Sequence, residues 1–169
     1  MAYFRPFQAA PNTSATTPPP GPVRLRSVTL ERPIVELYGR CELTMRLSGA
    51  VANPYDPDQV LLQVAFQSPQ RSVVTIEGFY YQPFERIRRG RQDSIELKGD
   101  PIWKARFTPT QVGRWSYEAR LTTPQGTQVW PAGTFEVSAS EQKGFVRVDP
   151  ATRTFRFSRA NELFVPVGE

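Results

Sequence analysis

Four aromatic residues within the run GFYYQPFER, Phe79, Tyr80, Tyr81 and Phe84, make up the densest group of side chains with a recognisable chemistry. Aromatic faces stack on the apolar C–H faces of sugar rings, and a tyrosine hydroxyl adds a hydrogen bond that sets orientation. Trp130, beside Pro131, offers the same kind of surface further along the chain. Four aromatics so closely spaced cannot all point inward from one strand, because successive side chains alternate between its faces. Two readings follow. Phe79, Tyr80, Tyr81, Phe84 and Trp130 form a ligand-binding surface that stacks on a polysaccharide, or they cap a core and pack against a neighbouring module.

Catalysis on a sugar would require more. Glycoside hydrolysis uses two carboxylates held about 5–10 Å apart, one of them in a setting that raises its pKa. Glu42, Glu77, Glu118 and Glu136 fall mostly at polar positions of alternating segments, which directs them to solvent, and no pair is assigned a catalytic role. The chain contains one cysteine, Cys41, and no histidine. Those counts exclude an intrachain disulfide, Ser-His-Asp and Cys-His nucleophiles and His-ligated zinc. Cys41 reads as a small core residue, with no imidazole to activate it. Gly-rich phosphate loops and Asp/Asn metal loops are absent, so neither cofactor nor metal is expected.

The net charge of +5 arises from 21 basic and 16 acidic residues. Its densest basic stretch, Arg86, Arg88, Arg89 and Arg91 around Gly90, has the pattern of a solvated loop. A basic balance permits polyanion binding, but no helix-turn-helix, zinc knuckle or RNA-recognition signature accompanies it, and no nucleic-acid partner is expected. No apolar run approaches the ~20 residues that cross a bilayer, so membrane insertion is not expected. The opening MAYFRPFQ lacks the apolar core of a secretory signal.

The elements that must position these residues are strands. Trp103, Ala105 and Phe107 alternate with Lys104, Arg106 and Thr108; after Pro109 and Gly113, Trp115, Tyr117, Ala119 and Leu121 alternate with Arg114, Ser116, Glu118 and Arg120. A period of two over this length predicts half-buried antiparallel strands. Further strands are predicted at Ile34 to Tyr38, around Leu43 to Leu47, at Val60 to Phe66, Val73 to Gly78, Gln128 to Trp130, and around Phe135 and Val137. Asn53-Pro54-Tyr55-Asp56-Pro57, Ser68-Pro69 and Pro124-Gln125-Gly126 supply turns. No window shows a helical period. Residues 1–26, rich in Pro and Thr, predict a disordered tail or linker, with the ordered domain starting near Ser27. The sum is an all-β fold: an immunoglobulin-like antiparallel β-sandwich of seven to nine short strands over residues 27–140.

The corner before the long strand supports the immunoglobulin-like form. Gln111-x-Gly113-x-Trp115-x-Tyr117 follows the spacing of Asp-x-Gly-x-Tyr-x-Cys, with Trp115 in the place of the corner tyrosine and Tyr117 in that of the cysteine. Since Cys41 has no mate, aromatic packing should join the sheets there.

Tyr38 to Ser138 resembles an immunoglobulin-like domain of unknown function found at the N-terminus of bacterial glycoside-hydrolase-like proteins. The likeness rests on CELTMRLSGAVANPYDPDQV, VVTIEGFYYQPFER and WKARFTPTQVGRWSYEARL. Lys143 to Val148 resembles the family's junction with the next domain, Phe155 to Phe157 the strand that follows, and Phe164 to Glu169 the first strand of a (β/α)8 barrel. The resemblance implies that residues 141–169 are a junction and the start of a truncated following domain, that the catalytic carboxylates of the parent lie on later barrel strands, and that the parent is extracellular or at the cell surface. It implies a non-catalytic accessory module whose partner is the downstream barrel. An independent carbohydrate-binding module and a protein-adhesion domain are the alternatives. The basic segment Ile87 to Ser94 departs from the family pattern.

Overall fold

The computed structural model describes residues 21–90 and 92–166; most of the tail predicted over residues 1–26 lies outside them. Thirteen strands follow one another, and no helix occurs among the described residues: β1 (Arg24–Leu30), β2 (Ile34–Glu36), β3 (Cys41–Ser48), β4 (Leu61–Gln67), β5 (Val73–Glu77), β6 (Phe79–Tyr81), β7 (Phe84–Arg89), β8 (Gln92–Leu97), β9 (Ile102–Phe107), β10 (Gly113–Thr123), β11 (Gly126–Ser138), β12 (Val146–Val148) and β13 (Phe155–Phe157). Nine of them build a sandwich of two sheets, ordered β1-β3-β9-β6 and β2-β11-β10-β4-β5; β7-β8 and β12-β13 are separate two-stranded pairs. The protein is thus an all-β sandwich.

Several expectations need correction. β1 starts at Arg24 rather than Ser27. Its register with β3 slips between Leu25 and Ser27, and that bulge breaks the alternation by which a strand is recognised. The sandwich is not wholly antiparallel, because β2 runs parallel to the end of β11, Val35 facing Val137. The chain changes sheets between β1 and β2 at Pro33, which has no N–H to extend a ladder but whose carbonyl still accepts from Glu136 N at 2.9 Å. The arginine segment is not a loop: Arg86, Arg88 and Arg89 lie in the β7-β8 hairpin, with Gly90 at its turn in the left-handed region (φ 63°).

The core lies between the inner faces. Leu43, Met45 and Ala105 of the first sheet meet Leu62, Val64, Phe66, Ala119 and Leu121 of the second, all at most 1% exposed. Phe66 stacks on Phe107 across the sheets at 4.3 Å between centroids, and Phe107 lies 5.1 Å from Trp115. At the corner before β10, Trp115 Nε1 donates to Gln111 O at 2.9 Å, tying the indole to the backbone four residues upstream. Trp115→Phe keeps an aromatic ring but leaves a part-buried carbonyl unmatched, and should lower stability by about 1–2 kcal/mol in denaturant titration.

β11, expected as two strands, is one strand interrupted by a bulge. Tyr117 faces Gly133 and Ala119 faces Trp130, so Pro131 and Ala132 together stand against the single Glu118, one residue more than the partner strand. The Tyr117 ring covers Gly133 so closely that a Cβ there would sit 2.4 Å from the phenol oxygen. Gly133→Ala should therefore cost about 1–3 kcal/mol through displacement of the ring, read as a lowered unfolding midpoint.

Candidate functional site

The aromatic run is divided by the pleat of β6. In register with β9, Phe79 lies opposite Lys104, Tyr80 opposite Trp103 and Tyr81 opposite Ile102. Tyr80 turns inward, edge-on to Trp103 at 5.6 Å, while Phe79 and Tyr81 share the outer face of the sheet. Phe84 belongs to the β7-β8 hairpin and is 54% exposed. Trp130 sits in the opposite sheet, half-buried against the core next to Ala119. The five predicted ligand residues therefore occupy four different places and form no common surface.

On the outer face the aromatic rings meet cations. Lys104 Nζ lies 4.6 Å from the Tyr81 centroid, and the Arg106 guanidinium lies 5.0 Å from that of Phe79. Both cations also hold Glu42: Arg106 Nε donates to Glu42 Oε2 at 2.6 Å, and Lys104 Nζ donates to Glu42 Oε1. Each ring thus has a face occupied by a cation, which leaves less surface for stacking. Glu42 was expected to face solvent. Although it stands on the outer face of β3, its side chain is only 6% exposed, covered by those two partners. Burial pushes the Glu42 carboxyl up, but the hydrogen bonds and charges of Lys104 and Arg106 outweigh it and hold the carboxyl below its ordinary range. A carboxylate held ionised with both oxygens occupied is a structural anchor, poorly suited to proton donation.

The other carboxylates do not gather. Glu77 and Glu136 are exposed, and Glu118 is half-buried within 3.7 Å of Arg120. No group of three His, Cys, Asp or Glu able to hold a metal occurs among the described residues. Cys41 is 2% exposed, and burial, aided by Glu31, pushes its thiol up to about 12. It is no nucleophile in this setting.

Tyr55 was not singled out by its spacing, yet it is 76% exposed and lies edge-on to Tyr80 at 5.6 Å. The turn that presents it is tied by its own side chains. Asn53 Oδ1 accepts from Tyr55 N at 3.0 Å, Asp56 Oδ1 from Asp58 N at 3.0 Å, and Gln59 Oε1 from Asn53 N at 3.1 Å. The signal was the Asn-Pro-Tyr-Asp-Pro run itself, since Asn and Asp close turns onto the backbone two residues on. Tyr55, Tyr80 and Trp103 make an aromatic series from surface to core. Burial raises the Tyr80 hydroxyl, with Tyr55 adding to the effect.

Beyond the sandwich, β12 and β13 are joined to it by Tyr38, whose ring meets Phe145 edge-on at 5.5 Å, and by Arg159, whose Nη1 donates to Ser140 O at 2.5 Å and Gln142 O at 2.9 Å. Val146 faces Phe157 and Val148 faces Phe155. These four apolar side chains share one face of the pair, with Val148 59% and Phe155 47% exposed.

A likeness exists to the crystal structure described as that of a "putative glycoside hydrolase from Bacteroides vulgatus ATCC 8482", at 24% identity and a TM-score of 0.56, over 80% of this chain and 22% of that one. The match reports a shared fold, and the chain corresponds to about a fifth of that protein's length. No curated protein matches. Residues 34–122 match the family described as "Domain of unknown function (DUF5060)". That match takes in the Tyr55 turn, the Gly-Phe-Tyr-Tyr strand and the alternating pair β9-β10, more than half of the residues, and the chain belongs to the DUF5060 family.

Proposed function

We propose that the chain is a non-catalytic, immunoglobulin-like accessory module of a larger, exported carbohydrate-active protein, and that it packs against and positions a barrel domain that follows it. The observation that carries this reading is the open apolar face of β12-β13. A two-stranded pair is marginal in water by itself, and one that leaves Val148 and Phe155 exposed gains its stability by covering them. The strand order of the two sheets and the Trp115 corner support the immunoglobulin-like assignment. The likeness to part of a much longer protein supports the accessory role. In a protein carrying both domains, amides around Val146, Val148 and Phe155 should exchange at least tenfold more slowly than in this chain alone. Equal exchange in the two would overturn the reading.

A carbohydrate-binding role has one observation in its favour, the exposure of Tyr55 beside Tyr80. Affinity electrophoresis against neutral and acidic polysaccharides tests it. Retardation abolished by Tyr55→Ala would establish it, and unretarded migration in every gel would remove it.

A further inference from the structure

The chain leaves the sandwich through residues 139–143, a polar stretch with no regular structure. A connector of this kind between two packed units is ordinarily where they move against each other. Here it is tied on both sides. Ser140 Oγ donates to Leu37 O at 2.6 Å and accepts from Gln142 N at 3.2 Å, beside the bond from Leu37 N to Ser138 O at 2.8 Å. From beyond β13, Arg159 Nη1 spans two carbonyls of the same stretch, Ser140 O and Gln142 O, while Lys143 O accepts from Arg159 N at 3.1 Å and Ala160 N at 3.2 Å. A charged donor makes such bonds about twice as strong as neutral ones.

On the sandwich side the backbone is bent to meet this unit. Tyr38 has a φ of 61°, in the left-handed region that a bulky side chain rarely enters, although Gly39 stands at the next position and the turn does not use it for that purpose. Its neighbours hold it there: Tyr38 N donates to Pro109 O at 3.0 Å and Gly39 N to Glu36 O at 2.7 Å. Backbone strain of this kind persists only where the surroundings over-determine it, and it is a mark of function. What the strained conformation delivers is the tyrosine ring, set edge-on to Phe145 at 5.5 Å, past the connector.

Phe145 and Arg159 belong to one body. Phe145 N donates to Ser158 Oγ at 3.0 Å and Ser158 N to Phe145 O at 2.7 Å, so the bonding between β12 and β13 continues to the base of the pair. Gly144 permits that approach: its φ is 90°, and a Cβ there would lie 2.5 Å from Ser158 Oγ. Beyond β13, Phe164 N donates to Phe155 O at 2.8 Å and the Phe164 ring meets Phe157 edge-on at 5.5 Å. The sandwich therefore grips this body at two separate places, through the Tyr38 ring and through the Arg159 guanidinium, in addition to the covalent connector. A connector alone leaves a hinge. Two further contacts fix a direction.

We propose that residues 139–160 form a rigid elbow, with Tyr38 and Arg159 as its positioning residues, which sets the direction in which the chain leaves the sandwich before any other domain docks on it. The proposal deepens the accessory reading and rests on it for its purpose, but its test needs only the 169-residue chain. Nuclear magnetic resonance should give the amides of residues 139–143 order parameters of about 0.85, as in the strands. Residual dipolar couplings from β12-β13 and from the sandwich should fit one common alignment. Arg159→Ala with Tyr38→Asn, which keeps a residue tolerant of the same φ but removes the ring, should lower those order parameters below about 0.6 and give β12-β13 an alignment of its own, with the sandwich couplings unchanged. If that variant folds poorly, Arg159→Ala with Phe145→Ala removes the same two contacts without touching the core. Separate alignments in the wild-type chain, or a common alignment that survives the paired substitutions, would overturn the elbow. Neither result bears on the exchange of Val146, Val148 and Phe155 in the two-domain protein, so the elbow and the accessory reading fail separately.

Discussion

Replacing Phe66 by alanine is expected to lower the free energy of unfolding by about 3–5 kcal/mol, the cost of a large cavity in a close-packed core. Phe66 is fully buried. It stacks on Phe107 at 4.3 Å and 11°, and meets Phe135 edge-on at 6.2 Å. Phe66 and Phe135 come from the second sheet and Phe107 from the first, so the ring is where the two layers are joined. With one cysteine, this chain cannot tie its two sheets by a disulfide. Single domains are stable by only about 5–15 kcal/mol, and the loss would remove a fifth of that or more. Phe66→Leu, which keeps most of the volume, should cost less than half as much. Urea titrations of the two variants check both numbers, and a cost below about 1 kcal/mol for alanine would show that the sheets are held by something other than this cluster.

The second large effect belongs to Glu42. Removing this carboxylate by Glu42→Ala leaves Lys104, 15% exposed at its side chain, facing Arg106 with no counter-charge. Breaking a buried pair typically costs about 3–5 kcal/mol; Arg106 is 45% exposed and partly solvated, so about 2–3 kcal/mol is expected here. The same group gives the stability a pH signature. Its folded pKa lies below the ordinary value of 4.5, so its contribution is fully present above that value and is lost as the pH falls through the lower folded pKa. Wild-type protein should therefore lose stability on acidification below pH 4.5 more steeply than Glu42→Gln, which has no proton to bind there. Parallel acid limbs in the two proteins would show that Glu42 is not held by its cations in solution. Replacing Glu42, Lys104 and Arg106 together by apolar residues should recover much of the loss, since no charge is then stranded.

Both effects turn on pairings that local patterns foretell only in part. Alternation located β3, β4, β9 and β10 to within a few residues, because one face of each is buried and the period of two is written directly into residue type. It failed where the backbone departs from regular pleating. The bulge after Leu25 conceals β1, and the one at Pro131 divides β11. It failed also where no face is buried: β7 and β8 read as solvated because their arginines are solvated, although those residues pair as strands.

The candidate site was legible to a similar degree. The density of aromatics from Phe79 to Phe84 marked the neighbourhood of β6, and the same alternation that predicted the strand dictates that Tyr80 cannot share a face with Phe79 and Tyr81. What lies across from each was not legible. Lys104 and Arg106 reach Glu42 from more than sixty residues away, and Tyr55 meets Tyr80 through a turn whose position depends on the packing of both sheets.

By itself the sequence determined that this protein is built of strands, that no disulfide ties its layers, and that histidine chemistry has no place in it. Those properties follow from residue type and near-neighbour spacing, which act over a few positions of chain. The tertiary structure alone decided that an outward-facing glutamate is buried, that five aromatics serve four surroundings, and that the β12-β13 pair leaves Val148 and Phe155 exposed. Each of these depends on the register between distant strands, and a shift of one residue in that register would exchange every inward side chain for its outward neighbour.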